Sequence, residues 1–374
     1  MTSPAPASPD RRASRPARRF RPSRNAGRVL IVGLGVGLVV EVCGGCSSGT
    51  APRATSTAPA AANSVGGGPA ATGSTAGSTP PPSRLRARVV GQLPQPVSRA
   101  VAVAAGSRIV VLGGLTTGDV TTGRVVTLDP TSWTGRTGGQ LREPVHDASG
   151  AWLAGRAVVF GGGSSTEVAD VQSWRNGRTQ VVGRLPEGRS DSSAVTVGGT
   201  AYVLGGFDGS RMTRDIVATR DGAHLRVVGR LKVGVRYAAV AAVGGDIYVV
   251  GGQLATTEGT SAGPQSDAIQ RFDLGTGRTS VVGHLPESLG HAMAFTVGGR
   301  LYVAGGRHLT TATARIWRVD LGTGGVHAVR AGRLPHPLSD AAVVNAGRRG
   351  VVLVGGETTG PYAPQTTIVA VTPR

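Results

Sequence analysis

A run of apolar residues ending in a glycine pair occurs six times in this 374-residue chain, and it constrains the fold more than any other feature. The pairs are Gly113-Gly114, Gly161-Gly162, Gly205-Gly206, Gly251-Gly252, Gly305-Gly306 and Gly355-Gly356, spaced 44 to 54 residues apart. A second marker keeps the same beat, a leucine after a Gly-x dipeptide at Leu93, Leu141, Leu185, Leu231, Leu285 and Leu334. Repetition at this period marks an array of one supersecondary unit.

Each unit reads as four short strands. Glycine turns such as Gly198-Gly199, Gly244-Gly245 and Gly298-Gly299 follow the first strand, and the second ends at the glycine pair. Asn176-Gly177, Asp221-Gly222, Gly275-Thr276-Gly277 and Gly322-Thr323-Gly324 then separate the third from the fourth, as expected of antiparallel hairpins. Sixty glycines and only 4% aromatic residues suit many tight turns better than helices. Four antiparallel strands per repeat make a propeller blade. The sequence therefore predicts an all-β, six-bladed β-propeller of four-stranded antiparallel blades over residues 85–374. The sixth unit ends after its third strand, near Gln365 to Val371. The segment Arg86 to Gly91 matches the fourth-strand ends Gln180 to Gly183 and Ser280 to Gly283. An N-terminal strand is thus predicted to close the last blade and remove a loose edge.

With Tyr202, Tyr248 and Tyr302 ahead of three of the glycine pairs, and the LP-type joints between units, the repeat resembles the kelch repeat. The corresponding positions in the other units are Val110, Val158 and Val352, and the tryptophan usual later in a kelch repeat has no regular counterpart. The resemblance spans residues 85–374. Some bacterial kelch propellers resemble sugar mutarotases and galactose oxidases. The oxidase chemistry uses a cysteine cross-linked to a tyrosine, and the only two cysteines here, Cys43 and Cys46, precede the repeats. A mutarotase needs an acid and a base across a small cavity.

The N-terminus reads as an address. Eight arginines lie among residues 11–28, and Val29 to Val42 is a short, glycine-rich apolar run. It is too short to span a bilayer comfortably and matches a signal-peptide core. Cys43-Gly44-Gly45-Cys46 then resembles a bacterial lipobox, with Cys46 as the lipidation site and Cys43 where leucine is usual. Residues 1–46 are read as signal peptide or membrane anchor. Residues 47–84, almost uncharged and rich in Ala, Ser, Thr, Gly and Pro, are read as a disordered tether. The expected location is the outer face of a bacterial cytoplasmic membrane.

The formal net charge is +19, from 40 basic and 21 acidic residues. A nucleic-acid surface calls for clustered basic residues interleaved with aromatics. Here the arginines are spread through every repeat, so no nucleic-acid partner is expected. Gly259-Thr260-Ser261-Ala262-Gly263 matches a serine-hydrolase pattern but lacks the strand-to-helix setting that chemistry uses.

Aligning the units on the leucine marker places Arg99, Asp147, Asp191, Tyr237, His291 and Asp340 at the start of the innermost strands. His146 and Arg236 precede two of them. Small residues follow each one: Ala100, Ala148, Ser192, Ala238, Ala292 and Ala341. The eight polar residues are the candidate ligand-binding set, ringing the mouth of a channel. Loops carrying Phe207-Asp208, Arg307-His308 and Glu357 should surround the same mouth. No catalytic pair, metal site or cofactor is assigned. The expected function is a membrane-tethered binding or interaction module for a glycan, peptide or envelope protein. The alternative is a sugar-active enzyme such as a mutarotase, drawing on Asp147, Asp191, Asp340 and His291.

Overall fold

A computed structural model describes residues 84–256, 263–322, 325–347, 350–358 and 363–374. The signal, lipobox and tether expectations, including Cys46, lie outside the described residues, as does Ser261. The described chain is all-β, without an α-helix, and no helix in it is long and apolar enough to cross a membrane. Its strands form a propeller-like arrangement of small antiparallel sheets.

Strand pairing gives four separate four-stranded sheets and one eight-stranded sheet, besides two short two-stranded ribbons. The eight-stranded sheet consists of two antiparallel runs, Ala239 to His284 and Met293 to Arg333, joined by a single parallel bridge, Gly283 to Val326. In every four-stranded run one edge strand packs beside the corresponding edge strands of two other runs. These inner strands are Val101–Ala105, Ser149–Leu153, Ser193–Val197, Ala239–Val243, Met293–Val297 and Ala342–Asn345. Their neighbour relations close, because Ala342–Asn345 also packs against Val101–Ala105.

The two sequence markers have physical causes. In each glycine pair the second N–H donates to a carbonyl of the next repeat: Gly114 to Val145, Gly162 to Arg189, Gly206 to Val235, Gly252 to Leu289, Gly306 to Leu338 and Gly356 to Val97. The last of these returns to the first repeat. At Gly206 the backbone is left-handed, with φ +102°, and a β-carbon would run into the Ser190 carbonyl. Glycine is the residue that tolerates both conditions. The six marker leucines are all buried, between the sheets they join.

Two turns differ in an instructive way. Asn176 and Gly177 both have positive φ, as a two-residue hairpin turn requires. Asp221-Gly222 instead begins a longer loop, in which the Asp221 carboxylate accepts the backbone N–H groups of Ala223 and His224, each at 2.9 Å. Aspartate can terminate a strand through such a side-chain turn without setting a two-residue hairpin.

The N-terminal strand Leu85–Val97 pairs antiparallel with Gln365–Pro373, from Leu85 opposite Pro373 to Val97 opposite Gln365. Leu85 is buried in a cluster with Ile316, Leu334, Leu353 and Val371. The first and last described strands are therefore fastened to each other.

Candidate functional site

Arg99, Asp147, Asp191, Tyr237, His291 and Asp340 stand together at the entrance to the inner strands. Each has a left-handed backbone, with φ between 52° and 58°. Their backbones form a closed cycle of hydrogen bonds: Asp147 donates to Arg99, Asp191 to Asp147, Tyr237 to Asp191, His291 to Tyr237, Asp340 to His291, and Arg99 to Asp340, at 2.8 to 3.1 Å. Left-handed non-glycine residues are uncommon, and six in register mark a position over-determined by its surroundings.

The side chains also bond to one another. Arg99 Nη1 donates to Asp147 at 3.1 Å and to the Tyr237 hydroxyl at 3.1 Å, while its Nε donates to Glu357 at 3.1 Å. Asp191 pairs with Arg236 at 3.3 Å. His291 Nδ1 lies 2.6 Å from Asp340 Oδ1, and the Ser339 hydroxyl donates to the other Asp340 oxygen at 2.7 Å. The Tyr237 and His291 rings stack with centroids 3.9 Å apart, and the Arg99 and Arg236 guanidiniums lie over Tyr237. His146 sits one step outside, bonded to Thr121 at 2.8 Å and 4.0 Å from Asp147. All eight residues predicted from the alignment are thus gathered at one end of the molecule.

Two further residues complete the cluster. Arg307 and Glu357 form a buried pair at 2.7 Å, and Glu357 also receives Arg99. Both directly follow a glycine pair, at the position occupied by Phe207 and Gln253 in two other repeats. Phe207 carries the Arg236 guanidinium on its face, and Gln253 accepts from Arg236 Nε at 2.9 Å. The residue after each glycine pair was the signal for this outer layer. Asp208 and His308 do not join it: Asp208 holds its own loop through Ser210 and Arg211, and His308 is exposed beside Ser288.

Burial governs the electrostatics. Asp191 is pushed up to about 7, first by burial and then by the neighbouring Asp147, against the pull of Arg236. Asp340 is held well below the carboxylate range: burial opposes this, but His291 and Arg99 outweigh it. Burial and the two carboxylates Asp147 and Asp191 raise the Tyr237 phenol. Burial works against the Arg99 charge, and Asp147, Asp340, Tyr237 and Glu357 more than compensate, so it stays protonated. Among the described residues no group of three or more His, Cys, Asp or Glu is arranged to hold a metal.

Beneath the cluster the axis is hollow. A space of about 130 Å³ lies against the six ring residues and the small residues after them. It is followed by one of about 170 Å³ among Ser149, Ser193 and Ala239, and then one of about 430 Å³ among Trp152, Thr196, Phe295 and Asn345. The channel widens away from the charged end. No titratable side chain lines its widest part.

An all-β array of small sheets around a hollow axis, with polar side chains gathered at one end, defines a β-propeller-like protein. The solved structure described as "Structure of YjhT" has this fold: it aligns with a TM-score of 0.62 at 16% identity, over 76% of this chain and 99% of that one. No family model and no curated protein sequence matches the chain.

Proposed function

We propose that the chain is a six-bladed propeller of kelch type that acts as a binding module for a protein or glycan partner at the bacterial cell envelope. The eight-stranded sheet counts as two blades, since one bridge alone joins its halves. In the same reading, residues 1–46 direct export, Cys46 carries a lipid, and residues 47–84 tether the propeller to the outer face of the membrane.

One observation carries the preference for binding over catalysis. The charged side chains at the narrow end are paired with one another and largely buried, whereas the 430 Å³ space at the other end of the channel has no acid or base on its wall. General acid–base chemistry needs a titratable group within reach of a substrate. A rigid ring carrying polar loops suits recognition.

The sugar-active alternative rests on Asp191, whose proton affinity falls near neutrality beside Tyr237 and Asp147. A thermal-shift screen of the protein against monosaccharides, cell-wall fragments and divalent cations tests both. A ligand specific to the folded state at a hundred times its Kd adds about 2.7 kcal/mol of stability. A shift lost in Asp191→Ala or His291→Ala, without turnover, supports the binding module. Turnover lost in the same variants replaces it with the enzyme. No shift with any ligand, and no envelope protein retained by the loop face, overturns a ligand role for the mouth.

A further inference from the structure

The strands farthest from the channel are Leu85–Val97, Gly135–Gln140, Arg178–Arg184, Arg226–Arg230, Arg278–His284 and Gly325–Arg333. Together they carry ten arginines, all exposed, and no aspartate or glutamate. Arg184 and Arg230 pair with Asp170 and Asp215 on the adjacent strands. The other eight, including Arg88, Arg136, Arg178, Arg226, Arg278 and Arg330, form no ion pair with a described acid. Elsewhere acids are plentiful, 21 in the whole chain against 40 basic residues. Guarding an edge strand against aggregation explains charge there, but acids would serve as well, and a surface kept merely soluble mixes both signs. A one-signed perimeter is a separate feature.

The same strands hold most of the exposed large apolar residues. Val89, Val181, Val227, Val281 and Val329 are each 39% to 46% exposed. Guanidinium groups beside a small apolar patch therefore recur around the perimeter. No tryptophan, tyrosine or phenylalanine lies on these strands, so nucleobases would find nothing on which to stack. A convex perimeter also cannot lay all six strands on a flat lipid surface, whereas a flexible chain can follow it. Arginine to the exclusion of lysine suits bidentate contacts to phosphate or carboxylate.

We infer that this perimeter belt binds a flexible anionic polymer whose charges are phosphate or carboxylate groups. The belt is separate from the mouth cluster and relies on the proposed ring only for its continuity.

The test uses the full chain, with inorganic polyphosphate and polygalacturonate as probes and affinity measured over a range of salt. The triple variant R136Q/R226Q/R330Q is compared with R108Q/R142Q/R175Q, three exposed arginines off the outermost strands with the same change of charge. The belt triple should lose about tenfold in affinity, and its slope of log affinity against log salt should fall by roughly two, about 0.7 for each of the three lost contacts as on a single-stranded polyanion. The control triple should change by less than about twofold in the same conditions. A preference for one probe assigns the charge chemistry as phosphate or carboxylate, and either supports the belt. Equal losses in both triples, no binding by the parent chain, or tighter binding to single-stranded DNA or phosphatidylglycerol vesicles than to both probes would overturn it. Asp191→Ala and His291→Ala should leave this binding unchanged, so failure at the mouth and failure at the belt are separable.

Discussion

The Arg99 guanidinium reaches the Tyr237 hydroxyl at 3.1 Å, although the inner strands that the two residues precede lie three places apart in either direction around the axis. The contact therefore crosses the channel, and Asp147 and Glu357 hold the same guanidinium from two further repeats. One side chain thus links four repeats and caps the narrow end of the hollow.

Removing it should be costly. Arg99→Ala leaves Asp147 buried without its close ion partner and Glu357 held by Arg307 alone, and a buried charge that loses its partner typically costs about 3 to 5 kcal/mol. Urea denaturation at neutral pH should show the midpoint falling by that cost divided by the slope, with the slope itself kept. An unchanged midpoint would mean that the crossing contact contributes nothing to the fold.

Asp191 gives the structure a pH signature. Its folded affinity for a proton lies near pH 7, above the ordinary aspartate value of 3.8. Between about pH 4 and pH 7 the native state thus binds more protons than the unfolded one, and stability from this group falls as pH rises. Asp340 has the opposite sign but acts below that window, since it is held under the ordinary value. Asp191→Asn should flatten the dependence, gaining stability relative to the parent at pH 8 compared with pH 5. Urea midpoints at the two values measure it, and parallel curves for the two proteins would reject the assignment.

The candidate ring was readable because a repeat array converts alignment into geometry: the same offset from Leu185 or Leu285 must land at the same place in its own unit. The pairing inside the ring was not readable. Nothing in sequence spacing tells Arg99 to choose Tyr237 rather than Asp191, because that choice depends on side-chain reach across a closed axis. The segregation of charge escaped for a related reason. Arginines scattered through every repeat look uniform along the chain, and only the strand order collects Arg136, Arg226 and Arg330 on one perimeter. The turn at Asp221 misled because Asp-Gly serves both a two-residue hairpin and a side-chain-capped loop.

Arg189 breaks the repeat pattern inside the core. Its side chain is fully buried where the other units have Val97, Val145, Val235, Leu289 and Leu338. It donates to the carbonyls of Asp215 and Gly205 at 3.2 and 3.4 Å and lies 3.4 Å from Glu187, while its Nε has no hydrogen-bond partner. Burial is the main cause of its lowered proton affinity. Its partner Glu187 is partly exposed and also held by Arg211 at 3.2 Å, so leucine at this position removes a desolvated charge without stranding a buried one, an exchange that is often neutral or stabilising. Arg189→Leu should therefore keep or raise the melting temperature, and Arg189→Ala should lower it through the cavity left behind. If Arg189→Leu unfolds the protein, the guanidinium has a structural role that its weak contacts do not reveal.

The pairing of Leu85–Val97 with Gln365–Pro373 yields the last test. Residues Leu85 to Val89 pair in unbroken register with Pro373 to Val369, and Leu85 packs beside Ile316 and Leu334. A chain beginning at Gly91 loses that stretch and exposes the edge of Gln365–Pro373, whereas one beginning at Arg84 retains both. In a closed array each unit leans on two neighbours, so opening one junction affects more than the contacts removed. The shorter chain should melt earlier and over a broader range, and the longer should unfold in one sharp transition. Leu85→Ala in the longer chain should cost about 2 to 5 kcal/mol, the usual range for a buried leucine. Because that change leaves the backbone pairing intact, comparing it with the truncation separates side-chain packing from strand closure. Identical melting of all three proteins would show that the last sheet stands without its N-terminal strand.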